Sequence, residues 1–474
     1  MKMSKSFVDK WLLIVVALYV APIALSNIYY VDDMMRITTG DGWDADGRIF
    51  ATVLMQLLSF GNVIPQMFPL SLFISSIITL ISGVIVSRIL FEKDDFLTKS
   101  CSLLILTSPF YLENLSYRYD SLPMSVSILI AIIPFLSRSK YIFALTSIPC
   151  IVFCLGLYQT SAMVYFALLI CIFINRANKG DFRFIVTMSL VSVLCFIVAY
   201  FIYGSIVSSS ELNVSRASFL SINSGFFVVI AGRIALYKNM YMELFQSNYI
   251  LATMPLTISV LIAVITLSFK GIKPLFIKTS ILTIAISLLL LLTTLPNLVI
   301  NEPWYTARTM VCYPFIFYAI YLFCHDKVNN LLLNASIVSL LFFSFVLINS
   351  YASTLKNNDD YSKFVAQSIS SELIKKSNNT TYSALIIGEQ RRSPRSHLQY
   401  KIFPILFRIA PIYMREDWNW GIKELSRYVN VRSAKNANEI KIEYCSFENI
   451  SSTALYDIKY NGIVFVIDFS KKCE

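Results

Sequence analysis

The chain has 474 residues, 56% hydrophobic and only 15% charged, with a mean hydropathy of +0.64. A soluble protein carries nearer a quarter charged residues, so a string of soluble domains is excluded, as are a disordered chain and a nucleic-acid-binding domain. Two His leave little room for His-based catalysis or metal binding, and the formal net charge of +11 reads as basic residues flanking membrane helices.

In chain order, Lys2, Lys5 and Lys10 precede a first apolar stretch at 11–29. The layout is like a signal peptide, but Tyr29-Tyr30-Val31-Asp32 lacks a small-residue cleavage pattern, so the segment is read as an uncleaved span. At about 20 apolar residues per crossing, further spans are expected at 68–90, 99–113, 121–137, 141–157, 160–175, 184–204, 248–268, 276–296, 309–324 and 329–349. The stretch 141–175 is either two short spans turning at Tyr158-Gln159-Thr160-Ser161 or one tilted helix. Residues 49–60 are too short to cross, and 219–246 are interrupted by Arg233, Lys238 and Glu243. Both are read as helices lying in the membrane surface, against the alternative of loops packed on the protein.

From about residue 350 the composition changes. Polar runs (Asn357–Asp360 and Ser377–Thr381) alternate with a helical pattern at 361–376 and strand-like stretches at Tyr382–Ile387 and Gly462–Asp468. About 125 residues suffice for a small α/β domain. Seven of the nine Cys lie in apolar runs, where they act as small core residues. Cys445 and Cys473 lie in the tail, either paired on an oxidising side or as two free thiols.

The expected fold class is thus an α-helical polytopic membrane protein of about 11 transmembrane helices, residues 1–349, with a small C-terminal α/β domain, residues 350–474. Basic residues fix its orientation. With the N-terminus inside, the short even-numbered loops hold Arg88, Lys93 and Lys99, then Arg138 and Lys140, then Arg176, Lys179 and Arg183, then Lys270, Lys273 and Lys278, then Lys327. The opposite loops hold Asp32, Asp33, Asp41, Asp44, Asp46, Glu113, Asp120, Glu211 and Glu302. Eleven crossings put the tail outside; a different count over 141–175 reverses it.

The densest polar cluster follows the first span: Tyr29-Tyr30-Val31-Asp32-Asp33-Met34-Met35-Arg36, then Asp41-Gly42-Trp43-Asp44-Ala45-Asp46-Gly47-Arg48. An unpaired charge in hydrocarbon costs at least about 2.5–3.5 kcal/mol, so these groups are solvated, paired or lining a cavity. Asp41, Asp44 and Asp46 fit a hydrated loop, whereas Asp32 and Asp33 are held at a fixed depth by the end of the span. Other outer loops add Tyr117-Arg118-Tyr119-Asp120, Glu302-Pro303-Trp304-Tyr305-Thr306-Ala307-Arg308, and Arg216 and Arg233. Arg grips phosphate bidentately, and aromatic faces suit sugar rings. A single such Arg is ordinarily an interfacial anchor; their recurrence at one face points to a site for a lipid-borne phosphate and a sugar. Cations would stabilise the departing phosphate, and a carboxylate within about 2.6–3.2 Å would take the proton of an attacking hydroxyl. This chemistry needs no nucleotide, no cofactor and no obligatory metal, and no P-loop, GxGxxG, HExxH or GxSxG motif competes with it.

The Tyr-Tyr-x-Asp-Asp-x-x-Arg stretch after the first span, Gly-Trp-x-x-x-Gly-Arg at Gly42–Arg48 and Tyr-Arg-Tyr-Asp-Ser-Leu-Pro at 117–123 resemble the bacterial type II O-antigen glucosyltransferases, serotype-converting membrane enzymes often encoded by temperate phages. The likeness runs over most of the membrane half and fades in the tail. It implies a GT-C-type enzyme of the bacterial inner membrane that takes glucose from undecaprenyl phosphate glucose and adds it to a sugar of the O-antigen on its lipid-linked oligosaccharide, at the periplasmic face. The family's β-linked donor and α-linked product imply one inverting displacement. The acidic residue that such enzymes carry in the first outer loop falls on Asp32 or Asp33, with a slight preference for Asp33 as base. Arg36, Arg48, Arg118 and Arg308 are the donor-phosphate candidates; Trp43, Tyr119, Asp120 and Trp304 are the substrate-binding candidates; the tail would select the acceptor.

Two other classes compete. A lipid-linked sugar flippase or other transporter tends to put charges within spans, often in repeated halves, whereas these spans are almost free of charge and no repeat is visible. An O-antigen polymerase typically has one long loop between late spans rather than a terminal domain.

Overall fold

The computed structural model describes residues 8–91, 93–137, 139–209, 219–222, 225–376 and 381–473. Lys2, Lys5, Arg138, Glu211, Arg216 and residues 377–380 of the second polar run lie outside the described residues. The chain divides into two compact units. One comprises the residues up to Leu25, Gly40–Asn349 and Phe403–Ile409; the other comprises Ser26–Thr39, Ser350–Ile402 and the residues from Ala410 on.

The helices in chain order are α1 (Lys10–Ser26), α2 (Asp33–Thr39), α3 (Ile49–Ser59), α4 (Leu70–Leu90), α5 (Phe96–Cys101), α6 (Leu112–Ser116), α7 (Ser121–Ile132), α8 (Lys140–Leu157), α9 (Ala162–Asn178), α10 (Phe182–Ser209), α11 (Phe226–Leu244), α12 (Ile250–Ser268), α13 (Ile272–Val299), α14 (Pro314–Cys324) and α15 (Asn330–Lys376). Among the described residues, 7 helices are long and apolar enough to cross a membrane, and α1, α3, α7 with its 3-10 extension, and α14 are shorter apolar helices. The stretch 141–175 is two helices, α8 and α9, meeting at Tyr158–Ser161. Of the two stretches read as surface helices, 49–60 holds α3 and 219–246 holds α11; α11 runs through a kink at Ser247 and Asn248 (φ 61°) into α12, and the two together count as one of the 7 helices long and apolar enough to cross.

The expected span at 99–113 is not one helix. Asp95 caps α5 by accepting the Thr98 amide (2.9 Å). Turns follow to Ser108, which is extended before Pro109 (ψ 130°), as the residue preceding proline tends to be. Every residue from Cys101 to Asp120 is buried, and freed backbone groups find partners, as where the Tyr318 hydroxyl donates to the Cys101 carbonyl (2.7 Å). Irregular backbone at membrane depth is tolerated where protein covers it. Gly83 of α4 makes the packing possible: a Cβ there would lie 1.9 Å from the Ser102 carbonyl oxygen.

Ser71 and Ser75 of α4 donate to the carbonyls of Arg118 (2.9 Å) and Ser121 (3.1 Å), tying the start of α7 to α4. That anchors Arg118 and Asp120.

In the second unit the tail builds a five-stranded sheet from β1 (Tyr382–Ile387), β2 (Val431–Ser433), β3 (Glu448–Ser452), β4 (Asp457–Tyr460) and β5 (Val464–Asp468), in the order β2-β1-β5-β4-β3. β1 is parallel to β2 and β5, in register Ser383↔Val464 to Ile387↔Asp468, while β4 is antiparallel to β5 and β3. Val365, Ile369 and Leu373 of α15 pack with Ile386, Ile458, Phe465 and Ile467. Cys445 and Cys473 form a disulfide, Cα–Cα 5.4 Å.

Candidate functional site

In the first unit, Arg48 immediately precedes α3. Its Nε donates to the Leu157 carbonyl at the end of α8 (2.9 Å), and its Nη1 donates to Asp120 Oδ1 (2.8 Å). The Trp43 indole donates to the same oxygen (2.8 Å). Asp120 is fully buried and Arg48 is 7% exposed, so the carboxylate is neutralised inside the protein. The guanidinium also lies 5.5 Å from the Trp43 ring and 5.1 Å from the Tyr158 ring. Its Nη2 is buried with no hydrogen-bond partner among the described residues.

The loop carrying these groups is held along its length. The Trp43 amide donates to Thr52 Oγ1 (2.7 Å), and that hydroxyl donates to Asp44 (3.0 Å). Gln159 donates to the Asp46 carbonyl (2.9 Å) and Tyr203 to that of Gly47 (3.0 Å). A Cβ on Gly156 would lie 2.2 Å from Phe50, so α8 and α3 reach this approach only with glycine there. Asp41 is exposed, whereas Asp44 and Asp46 are partly buried.

A second group adjoins the first through Tyr158, whose hydroxyl donates to the Arg308 carbonyl (3.1 Å). The Arg308 amide donates to Glu113 (2.8 Å), and the Arg308 guanidinium lies 4.7 Å from the Tyr117 ring. Arg308 is partly exposed, in contrast to Arg36, Arg48 and Arg118 at 5%, 7% and 2%. Arg118 lies over Phe68, 4.5 Å from the ring. Tyr119 is in the core with Trp43, Ala51 and Leu122, while Trp304 is 39% exposed. Asn297 holds the Trp304 segment by donating to its carbonyl (2.9 Å) and to Thr309 (2.9 Å). Arg233 is occupied at the end of α13, donating to the carbonyls of Leu298 (2.9 Å), Ile300 (2.6 Å) and Asn301 (3.2 Å).

In the second unit, the segment after α1 turns sharply into α2. Val31 has φ 46°, costly for a β-branched residue. The Tyr413 hydroxyl braces it, accepting from the Val31 amide (3.2 Å) and donating to the Tyr29 carbonyl (3.2 Å). Burial pushes the Tyr413 phenol up, which keeps its proton for the second of these bonds. Asp33 is fully buried and accepts the Tyr30 amide (3.0 Å). Asp32 is only partly buried, and its carbonyl accepts the Arg36 amide (3.1 Å), which puts Asp32 and Arg36 one helical turn apart.

The structure therefore joins Trp43, Arg48 and Asp120, with Arg308 reached through Tyr158, and it groups Asp32, Asp33 and Arg36 on the turn into α2. Sequence reasoning missed Tyr158, Asn297 and Tyr413 as organisers. Tyr413 lies 382 residues from Val31, and no local pattern signals such a contact.

Residues 21–349, well over half of the chain, match the family described as "Glucosyl transferase GtrII". The chain is also 30% identical, over 245 residues, to the "Uncharacterized 55.3 kDa protein in gtrB 5'region" of Salmonella phage P22, a match covering 49% of this chain. The chain spans 50% of that curated relative's length. No solved structure matches.

Proposed function

We propose that this chain, which belongs to the GtrII glucosyl transferase family, moves a glucosyl group from undecaprenyl phosphate glucose to a sugar of the lipopolysaccharide O-antigen, at the periplasmic face of a bacterial inner membrane. The observation that carries this reading is the braced turn into α2 after the first apolar helix, where two carboxylates and Arg36 lie within one helical turn of one another. The acceptor hydroxyl attacks the anomeric carbon as the bond from that carbon to the phosphate oxygen breaks. The hydroxyl proton passes to a carboxylate, and undecaprenyl phosphate leaves with the bonding electron pair. One displacement turns a β-linked donor into an α-linked product.

Burial separates the two aspartates. Asp33 spends an oxygen on the Tyr30 amide and fixes the turn; Asp32, partly exposed, is the one that a hydroxyl can reach. This reverses the slight preference drawn from sequence. Within the first unit, Arg308 is the most exposed of the candidate arginines and offers a cation to a phosphate, and Trp304 offers an exposed ring to a sugar. Trp43, Arg48 and Asp120 hold the loop ahead of α3, while Arg36 and Arg118 add positive potential. The disulfide supports an oxidising compartment for the tail.

The test is glucosyl transfer by purified full-length protein, supplied with undecaprenyl phosphate glucose and a lipid-linked O-antigen acceptor. Asp32→Asn is expected to lower turnover by about 10²–10⁴-fold with donor affinity retained. Full activity of Asp32→Asn would remove the proposed base.

A further inference from the structure

The first unit contains a second polar region, at the opposite end of α8 from Arg48 and Asp120. A cavity of about 340 Å³ lies between the C-terminal end of α4, the turn from α7 into α8, the C-terminal half of α9 and the first turns of α10. That volume is in the range of small-ligand sites, roughly 300–1,000 Å³. Lys140, Arg176 and Lys179 line it together with the apolar side chains of Phe135, Leu169 and Met188.

Three cations line this space, Lys140 of α8, Arg176 of α9 and Lys179 just past the end of α9. Arg176 lies over the Phe184 ring at 4.4 Å, which orients its planar fork. Its carboxylate neighbour Asp181 is 3.6 Å away and also accepts the Phe184 amide (3.2 Å) at the start of α10. Ser137, Ser139 and Asn175 add polar groups, although Asn175 donates to the Leu90 carbonyl (2.8 Å). The 18 residues of α8 span about 27 Å at 1.5 Å per residue. The cavity is therefore close to one hydrocarbon thickness from the Arg48–Asp120 pair, at the end that the basic loops assign to the cytoplasm.

We propose that this cavity binds the phosphate headgroup of a lipid. Arg176 and the two lysines hold the phosphate, Arg in its bidentate mode, and the apolar lining takes the first part of the hydrocarbon chain. Basic pockets between membrane helices on the cytoplasmic side suit anionic headgroups for this reason. A phospholipid and a polyprenyl phosphate present the same chemistry, a phosphate ester on an apolar chain. This site is independent of the transfer reaction proposed above.

The experiment titrates the purified full-length protein, in a neutral detergent, with phosphatidylglycerol, undecaprenyl phosphate, phosphatidylcholine or inorganic phosphate, and reads the thermal midpoint. Phosphatidylglycerol, undecaprenyl phosphate or both are expected to raise it saturably, and whichever acts at the lower concentration identifies the source. Lys140→Ala with Arg176→Ala, both exposed positions, is expected to weaken that lipid at least tenfold; Lys270→Ala with Lys273→Ala is expected to leave it unchanged. Ile172→Trp, which fills the cavity and keeps its charges, is expected to weaken it likewise. The proposal is overturned if phosphatidylcholine or inorganic phosphate acts as strongly as the anionic lipids, if no lipid shifts the midpoint, or if the Lys140/Arg176 pair and Ile172→Trp both bind as the parent does.

Discussion

Arg48 and Asp120 show how a single contact reassigns two side chains. Each invites a substrate-facing role in the sequence, one as a cation and one as a carboxylate at an outer loop. They lie 72 residues apart, and the structure brings them within 2.8 Å. Removing one partner of a buried pair strands the other charge, at about 3–5 kcal/mol. Arg48→Ala is therefore expected to lower the thermal stability of the purified protein and its activity together, and Arg48→Lys to rescue little, because Lys cannot reach Leu157 and Asp120 at once. In the tail, Glu416 behaves differently. Lys441, 2.8 Å away, holds its carboxyl below the ordinary value, helped by the Gly388 amide at 3.1 Å. A depressed folded pKa stabilises fully above the unfolded value and is lost as pH falls through the folded one. Thermal midpoints of the parent and Glu416→Gln are thus expected to differ at neutral pH and to converge below the usual carboxylate range; a gap that widens on acidification would refute the assignment.

Helices were legible wherever lipid and protein make the same demand. Apolar runs at 68–90, 184–204 and 276–296 correspond to α4, α10 and α13, because a lone helix satisfies its own backbone in hydrocarbon. The run at 99–113 has an apolar centre at Leu103–Leu106, yet it carries Lys99, Pro109 and Glu113, and protein buries every residue from Ser100 on, so its apolar character reflects packing against protein and not a single lipid-facing helix. The end of α13 was illegible for another reason. Arg233, which looks like a surface anchor in the sequence, is 7% exposed and closes a set of helix-terminal carbonyls. Hydrogen bonds to a charged group contribute about 1.5–3 kcal/mol, so Arg233→Ala is expected to destabilise by that order and to raise amide exchange over residues 297–305. Unchanged exchange there would show that the cap is dispensable.

Over the whole chain, composition indicates the membrane class, and the loop carboxylates with their arginines point to a site for a phosphate and a sugar. The strands at Tyr382–Ile387 and Val464–Asp468 were readable from β-rich runs. The disulfide was not, since 28 residues separate Cys445 from Cys473 and only the fold brings them together. What no pattern in the sequence exposes is the bracing of Val31 by Tyr413 and the covering of Tyr119 by the core, both products of long-range packing. The central claim is that this chain adds glucose to the O-antigen through a carboxylate on the turn into α2. The most direct measurement is the mass and linkage of lipopolysaccharide repeat units from one host strain expressing the chain or its Asp32→Asn, Asp33→Asn double variant. One added α-linked glucose per modified repeat, present with the parent chain and absent with the double variant, is the predicted result. Identical repeat units in both, or a glucose that persists in the double variant, would contradict it.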